Sequence, residues 1–206
     1  MKKVTDLLLG LTLMSLLFIG CSKDEDGDST QSTGSMTIAG ETYDISNGIL
    51  EYYGSWGASG APYNIDLVLY SDGITIKEVD GEAEPSGKGN FLYFEILTDT
   101  EATLPEGTYT FSDSETAGTF DFSDYGINYD VANDDSDIYD YITAGTITVS
   151  KSNNIYTISI SLTDSSDNTI TGSFSGTLKY FDYSNLSYSV TTTTLKSAKS
   201  KNVFLK

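Results

Sequence analysis

The chain of 206 residues carries 30 acidic residues against 11 lysines, with no arginine and no histidine, and its formal net charge is −19. Such a surface repels phosphate backbones and anionic headgroups, which makes nucleic acid a poor partner. Without imidazole or guanidinium, and with Cys21 as the single cysteine, the chain cannot assemble a Ser-His-Asp triad, a histidine-assisted thiol nucleophile, a Cys/His zinc site or a bidentate arginine clamp.

Met1, Lys2 and Lys3 start the chain, and Leu7 to Ile19 is apolar apart from Gly10, Thr12 and Ser15. Roughly 13 residues fall short of the ~20 that a membrane-spanning helix needs. A basic start, a short apolar run and a small residue before Cys21 describe instead a secretory signal over residues 1–20. The segment "FIGC", Phe18 to Cys21, resembles the lipobox of bacterial lipoproteins, with Phe18 where leucine is usual. That resemblance implies cleavage before Cys21, diacylglycerol on its thiol and a membrane anchor. A lone thiol has no disulfide partner in an oxidising compartment, and more than one acyl chain meets the requirement for stable anchoring. Residues 21–35 contain "SKDEDGDSTQSTGS", without a large apolar side chain, and read as a disordered acidic tether reaching roughly 20 Å. Its acidic start resembles the export signal of Bacteroidetes-type lipoproteins, which implies the outer face of the outer membrane.

From there on Tyr, Thr, Ile, Phe and Val recur in short runs broken by Gly, Asn, Asp and Ser, the pattern of strands and turns. "MTIAGETYDI" (Met36 to Ile45) predicts a hairpin turning near Gly40 and Glu41. "GILEYYGSW" follows, then "YNIDLVLYSDG", where Tyr63, Ile65, Leu67 and Leu69 share a face and Asp72-Gly73 makes a tight turn. "NFLYFEIL" (Asn90 to Leu97) is apolar on both faces, as a central strand covered on each side must be. Pro105 of "LPEGTYTF" precedes a strand, where its missing N–H does no harm. "GTFDF" and "YDYITAGTITV" lead into a three-stranded meander over Thr146 to Tyr180, in which Tyr156, Ile158, Ile160 and Leu162 alternate with Thr and Ser. Ile170, Gly172, Phe174, Gly176, Leu178 and Tyr180 share one parity of its third strand. "YSVTTTTL" adds a last strand, and residues 191–206 form a basic strand or tail with Lys196, Lys199, Lys201 and Lys206.

That makes roughly ten strands and no sustained helical period, hence one all-β domain over residues 36–190. An antiparallel β-sandwich is expected, with a lipocalin-like closed barrel as the alternative. Two constellations have the chemistry to bind. Tyr52, Tyr53, Trp56 and Tyr63 stand among glycines in "EYYGSWGASGAPYN", and aromatic faces with polar handles suit the C–H faces of sugars; packing alone also explains tyrosines in a β-rich chain. Asp130, Asp134, Asp135, Asp137 and Asp140 crowd "NYDVANDDSDIYD", oxygen ligands of the kind calcium takes, although the EF-hand spacing is missing and a solvated loop is the favoured reading. A carboxylate pair for glycoside hydrolysis needs only Asp and Glu, but their abundance singles out no pair.

The lipobox, the acidic stretch and phrases such as "LPEGTYTF", "GTITVSKSNNIYTISISL" and "ITGSFSGTL" together resemble the small lipoproteins that Bacteroidetes-type bacteria display on their surface. The resemblance brings no catalytic residue with it. It implies a binding or scaffolding module at the cell surface rather than an enzyme, and the aromatic set makes carbohydrate capture the first reading of what a lipid-anchored, non-catalytic module binds. The alternative is a structural or adhesive component that meets other proteins of an outer-membrane complex through exposed strand edges.

Overall fold

The structure is a computed structural model that describes residues 31–57 and 60–185. The signal segment, Cys21, most of the tether, the strand expected at "YSVTTTTL" and residues 191–206 lie outside the described residues. Within them the chain is all-β, with twelve strands and no helix, so no helix there is long and apolar enough to cross a membrane.

β1 (Thr33–Ile38) and β2 (Glu41–Asp44) form the expected hairpin, turning through Ala39 and Gly40 at φ of 50° and 91°. β1 begins three residues ahead of the expected domain start. Then come β3 (Asn47–Gly57), β4 (Gly60–Tyr70), β5 (Ile74–Val79), β6 (Glu82–Thr98), β7 (Gly107–Phe111) and β8 (Thr119–Asp130). β9 (Ile138–Ser152), β10 (Ile155–Asp164) and β11 (Thr169–Gly176) are the predicted meander, and β12 (Lys179–Asp182) closes the set. In the meander Ile158 lies between Val149 and Phe174, which puts apolar partners on one face across three strands. β11 stops at Gly176, and Tyr180 belongs to β12, opposite Leu50 of β3.

The strands join in one curled sheet along the path β12-β3-β4-β6-β8-β7-β9-β10-β11-β1-β2, with β5 attached to β6. The sheet is mixed, because β12 runs parallel to β3 and β7 parallel to β8. Alternation decides what each face buries. Leu50 and Tyr52 of β3, Ile65, Leu67 and Leu69 of β4, and Leu92, Phe94 and Ile96 of β6 meet the inward residues of β8–β11 in the main core. The opposite face of the same strands carries a second core built on Ile49, Val68, Phe91 and Tyr93. β5 and the first half of β6 form a hairpin that contributes Ile74 and Ala83 to it, and β12 contributes Phe181. The two-sided burial expected of "NFLYFEIL" follows from that hairpin.

One irregularity places side chains that matter below. Tyr93 pairs with Asp124 and Glu95 with Asp121, so two spacings on β6 face three on β8. The bulge falls at Phe122, which sits at φ 37° and is left 48% exposed. An extra residue resets the parity of a strand, so Asp121 and Asp124 both stand opposite residues of the second-core face, Glu95 and Tyr93, despite their odd separation.

Candidate functional site

The structure splits the predicted aromatic set. Tyr52 and Tyr63 come together with ring centroids 6.4 Å apart, on the main-core side. Tyr53, the next residue, points through the other face and packs on Tyr183 at 5.2 Å. Trp56 is half-buried near the end of β3. These four residues therefore do not share one stacking platform.

A cleft of about 380 Å3 opens instead at one end of the curled sheet. Lys151, Asn154 and Tyr156 enter it from the β9–β10 turn, Ala102 and Thr103 from the connection after β6, and Thr177, Leu178 and Tyr180 from the β11–β12 stretch, with Leu50 beneath. Local bonds hold these segments in place. The Lys151 backbone N–H donates to Glu106 Oε1 at 2.7 Å, and the Tyr109 hydroxyl donates to the Pro105 carbonyl at 2.8 Å, tying the 99–106 connection to β7 and β9. Lys151 Nζ donates to the Tyr156 hydroxyl at 3.0 Å and lies 4.5 Å from the ring centroid. Tyr156 is buried, whereas Tyr180 is 41% exposed and presents its ring at the rim.

Burial first, and then the negative charge of Glu101, pushes the Tyr52 hydroxyl up to about 12. Burial, then Asp182 and Glu101, also raises Tyr180. Phenols shifted upward keep their protons through the neutral range and act as hydrogen-bond donors. The cleft thus combines aromatic faces with hydroxyl and amide groups. Its lining comes from four distant stretches of chain, and no local motif marks it.

In the acidic loop the carboxylates serve turns. Asp130 accepts from the Ala132 N–H at 3.0 Å and from Asn133 Nδ2 at 2.8 Å. Asp134 accepts from the Tyr129 hydroxyl and Asp137 from Asn128 Nδ2, each at 2.7 Å. Asp135 offers its carbonyl to the Asp130 N–H at 2.7 Å. Asp140 accepts from the Ser165 and Ser166 hydroxyls. Among the described residues no three His, Cys, Asp or Glu side chains gather as a metal-ligand set.

A second acidic feature went unread in the sequence. Glu51 pairs with Asp66, Asp66 with Glu95, and Glu95 with Asp121, a row of carboxylates running straight across β3, β4, β6 and β8 on the second-core face. Glu51 is 1% exposed, and Asp66 and Glu95 are 0% exposed. Burial pushes Glu51 up to about 7; the nearby Tyr183 hydroxyl pulls the other way without closing a hydrogen bond onto it. Asp66 is held well above the usual carboxylate range, first by burial and then by the charges of Glu95 and Glu51, against the Tyr93 hydroxyl that donates to it at 2.7 Å.

Compared with family models, with characterised proteins and with solved structures, the chain matches none.

Proposed function

We propose that the protein is a non-catalytic binding module, anchored to the outer membrane through lipid on Cys21, that captures carbohydrate in the cleft beside Tyr156 and Tyr180. One observation carries the reading: about 380 Å3 of concave space joins aromatic rings to neutral hydrogen-bonding groups, Asn154, Thr103 and Thr177 among them. Small-molecule sites span roughly 300–1,000 Å3 and combine apolar walls with a few polar groups. A sugar offers the matching pair of surfaces, an apolar C–H face for the ring of Tyr180 and hydroxyls for the amide and threonines. The acidic tether and the lipobox supply the address.

A glycan array probed with the full chain tests this. A defined set of glycans is retained, and Tyr180→Ala combined with Asn154→Ala lowers that retention at least tenfold while the melting temperature stays within a few degrees. Tyr180 is exposed enough for this exchange to spare the core. Trp56→Ala leaves retention unchanged, because Trp56 stands outside the cleft lining. Retention that survives the double substitution, or an array with no retained glycan, overturns the reading.

A further inference from the structure

Of the described side chains that line the cleft, Lys151 alone carries a charge. The chain as a whole has a net charge of −19, so a cation in a concave site stands against its surroundings. The other described lysines are placed elsewhere: Lys179 pairs with Glu78 at 3.1 Å, Lys88 is beside Asp130, and Lys77 stands on β5. Among the described residues the Lys151 ammonium forms no ion pair. Glu106 is turned to the same residue, but its Oε1 accepts from the backbone N–H of Lys151 at 2.7 Å. What the ammonium touches is the ring and hydroxyl of Tyr156.

Two donors therefore stand side by side at the β9–β10 wall. An ammonium has three N–H groups and no acceptor, so one is spent on the Tyr156 hydroxyl and two remain. The hydroxyl accepts that bond with its oxygen and keeps its own proton to donate. Donors 3.0 Å apart can each take one oxygen of a single carboxylate, and a charged donor makes the stronger bond. The Tyr180 side carries the opposite field. Asp182 follows two residues after Tyr180, and Asp182 and Glu101 both act on its hydroxyl. An acidic group entering the cleft is drawn to Lys151 and repelled from the Tyr180 side, which leaves that ring to an apolar C–H face.

We propose that the cleft takes an acidic saccharide, its carboxylate bridged by the Lys151 ammonium and the Tyr156 hydroxyl and its C–H face laid on Tyr180. This rests on the capture reading and names the class of sugar captured.

The test uses the full chain near neutral pH on an array of terminal uronides and sialosides, each printed beside its carboxyl-reduced counterpart. The acidic member of a pair is retained about threefold or more above the reduced one, the size expected of a partly solvated ion pair. The net charge of the chain opposes any anion, so such a preference comes from a local group. Lys151→Gln removes the preference, whereas Lys77→Gln, which deletes the same charge from β5, keeps it. Lys151 is exposed, so the exchange spares the core. Equal retention of both members, or a preference that survives Lys151→Gln, overturns the acidic assignment. In either case the capture reading stands as long as Tyr180→Ala with Asn154→Ala still lowers retention. An array that retains no glycan overturns both.

Discussion

Asp164 and Asp66 are both 0% exposed, yet the chain treats them in opposite ways. Asp164 ends β10, where the turn to β11 aims donors at it. It accepts from the Tyr125 hydroxyl at 2.8 Å, the Ser166 and Asn168 N–H groups at 3.0 and 2.7 Å, and Asn168 Nδ2 at 3.0 Å. Asp66 lies in the middle of β4, where the backbone N–H groups are spent on the ladder, and its strand neighbours on both sides are acids. A turn brings its own backbone donors to a buried carboxylate; in a strand interior those N–H groups are committed to the ladder, and donors come from side chains of neighbouring strands, as the Tyr93 hydroxyl does for Asp66.

The largest effect should come from removing the carboxylate that is best served. Asp164→Ala strands a buried tyrosine hydroxyl, an amide and two backbone N–H groups at once. The expected loss is about 3–5 kcal/mol, a fall of roughly 10 °C in melting temperature for a domain of this size. Thermal unfolding followed by circular dichroism measures it. A fall of only a degree or two would mean that water replaces the carboxylate and that the contrast with the row is smaller than the geometry indicates.

Next in size is Glu51→Gln, with the opposite sign. The folded protein holds the Glu51 proton up to about pH 7, against a normal value of 4.5. The folded state therefore binds this proton more tightly than the unfolded chain does. The stability it contributes is complete below about pH 4.5 and is lost as pH rises through about 7. Glutamine keeps the shape and cannot ionise. Parent and variant should be equally stable near pH 4, with the variant ahead by at most about 3 kcal/mol at pH 8. Denaturant titrations at the two pH values decide, and a pH-independent difference would remove ionisation as the cause. Asp66→Asn should shift stability in the same direction, since its proton is also held by burial.

How far such features were legible depends on where the deciding contacts lie. Period-two alternation exposed the meander and the inward face of β4, because Ile65, Leu67 and Leu69 carry that information themselves. It implied that Asn64 and Asp66 face water. They do not, because the β5–β6 hairpin and β12 cover that side, and "ITIKEV" buries too little to announce itself as a strand. The same alternation separates Tyr52 from Tyr53, a consequence already contained in their adjacency. Grouping aromatics by closeness in sequence hid it. The cleft was unreadable for another reason: Thr103, Lys151, Tyr156 and Tyr180 meet only once the sheet has curled.

The smallest expected effect concerns the acidic loop, where the turn-held pattern of Asp164 recurs near the surface. The Asn133 amide holds Asp130 below the usual carboxylate range, and the Ser165 and Ser166 hydroxyls outweigh burial to do the same for Asp140. Carboxylates that point at separate protein donors must give up those bonds before they can converge on an ion. Calcium at 1 mM should therefore raise the melting temperature by less than about 1 °C, since a ligand present at its own Kd adds only about 0.4 kcal/mol. A rise of several degrees that Asp134→Asn abolishes would show that the loop rearranges around calcium. The hydrogen bonds that hold these carboxylates to their turns would then be exchanged for bonds to the ion.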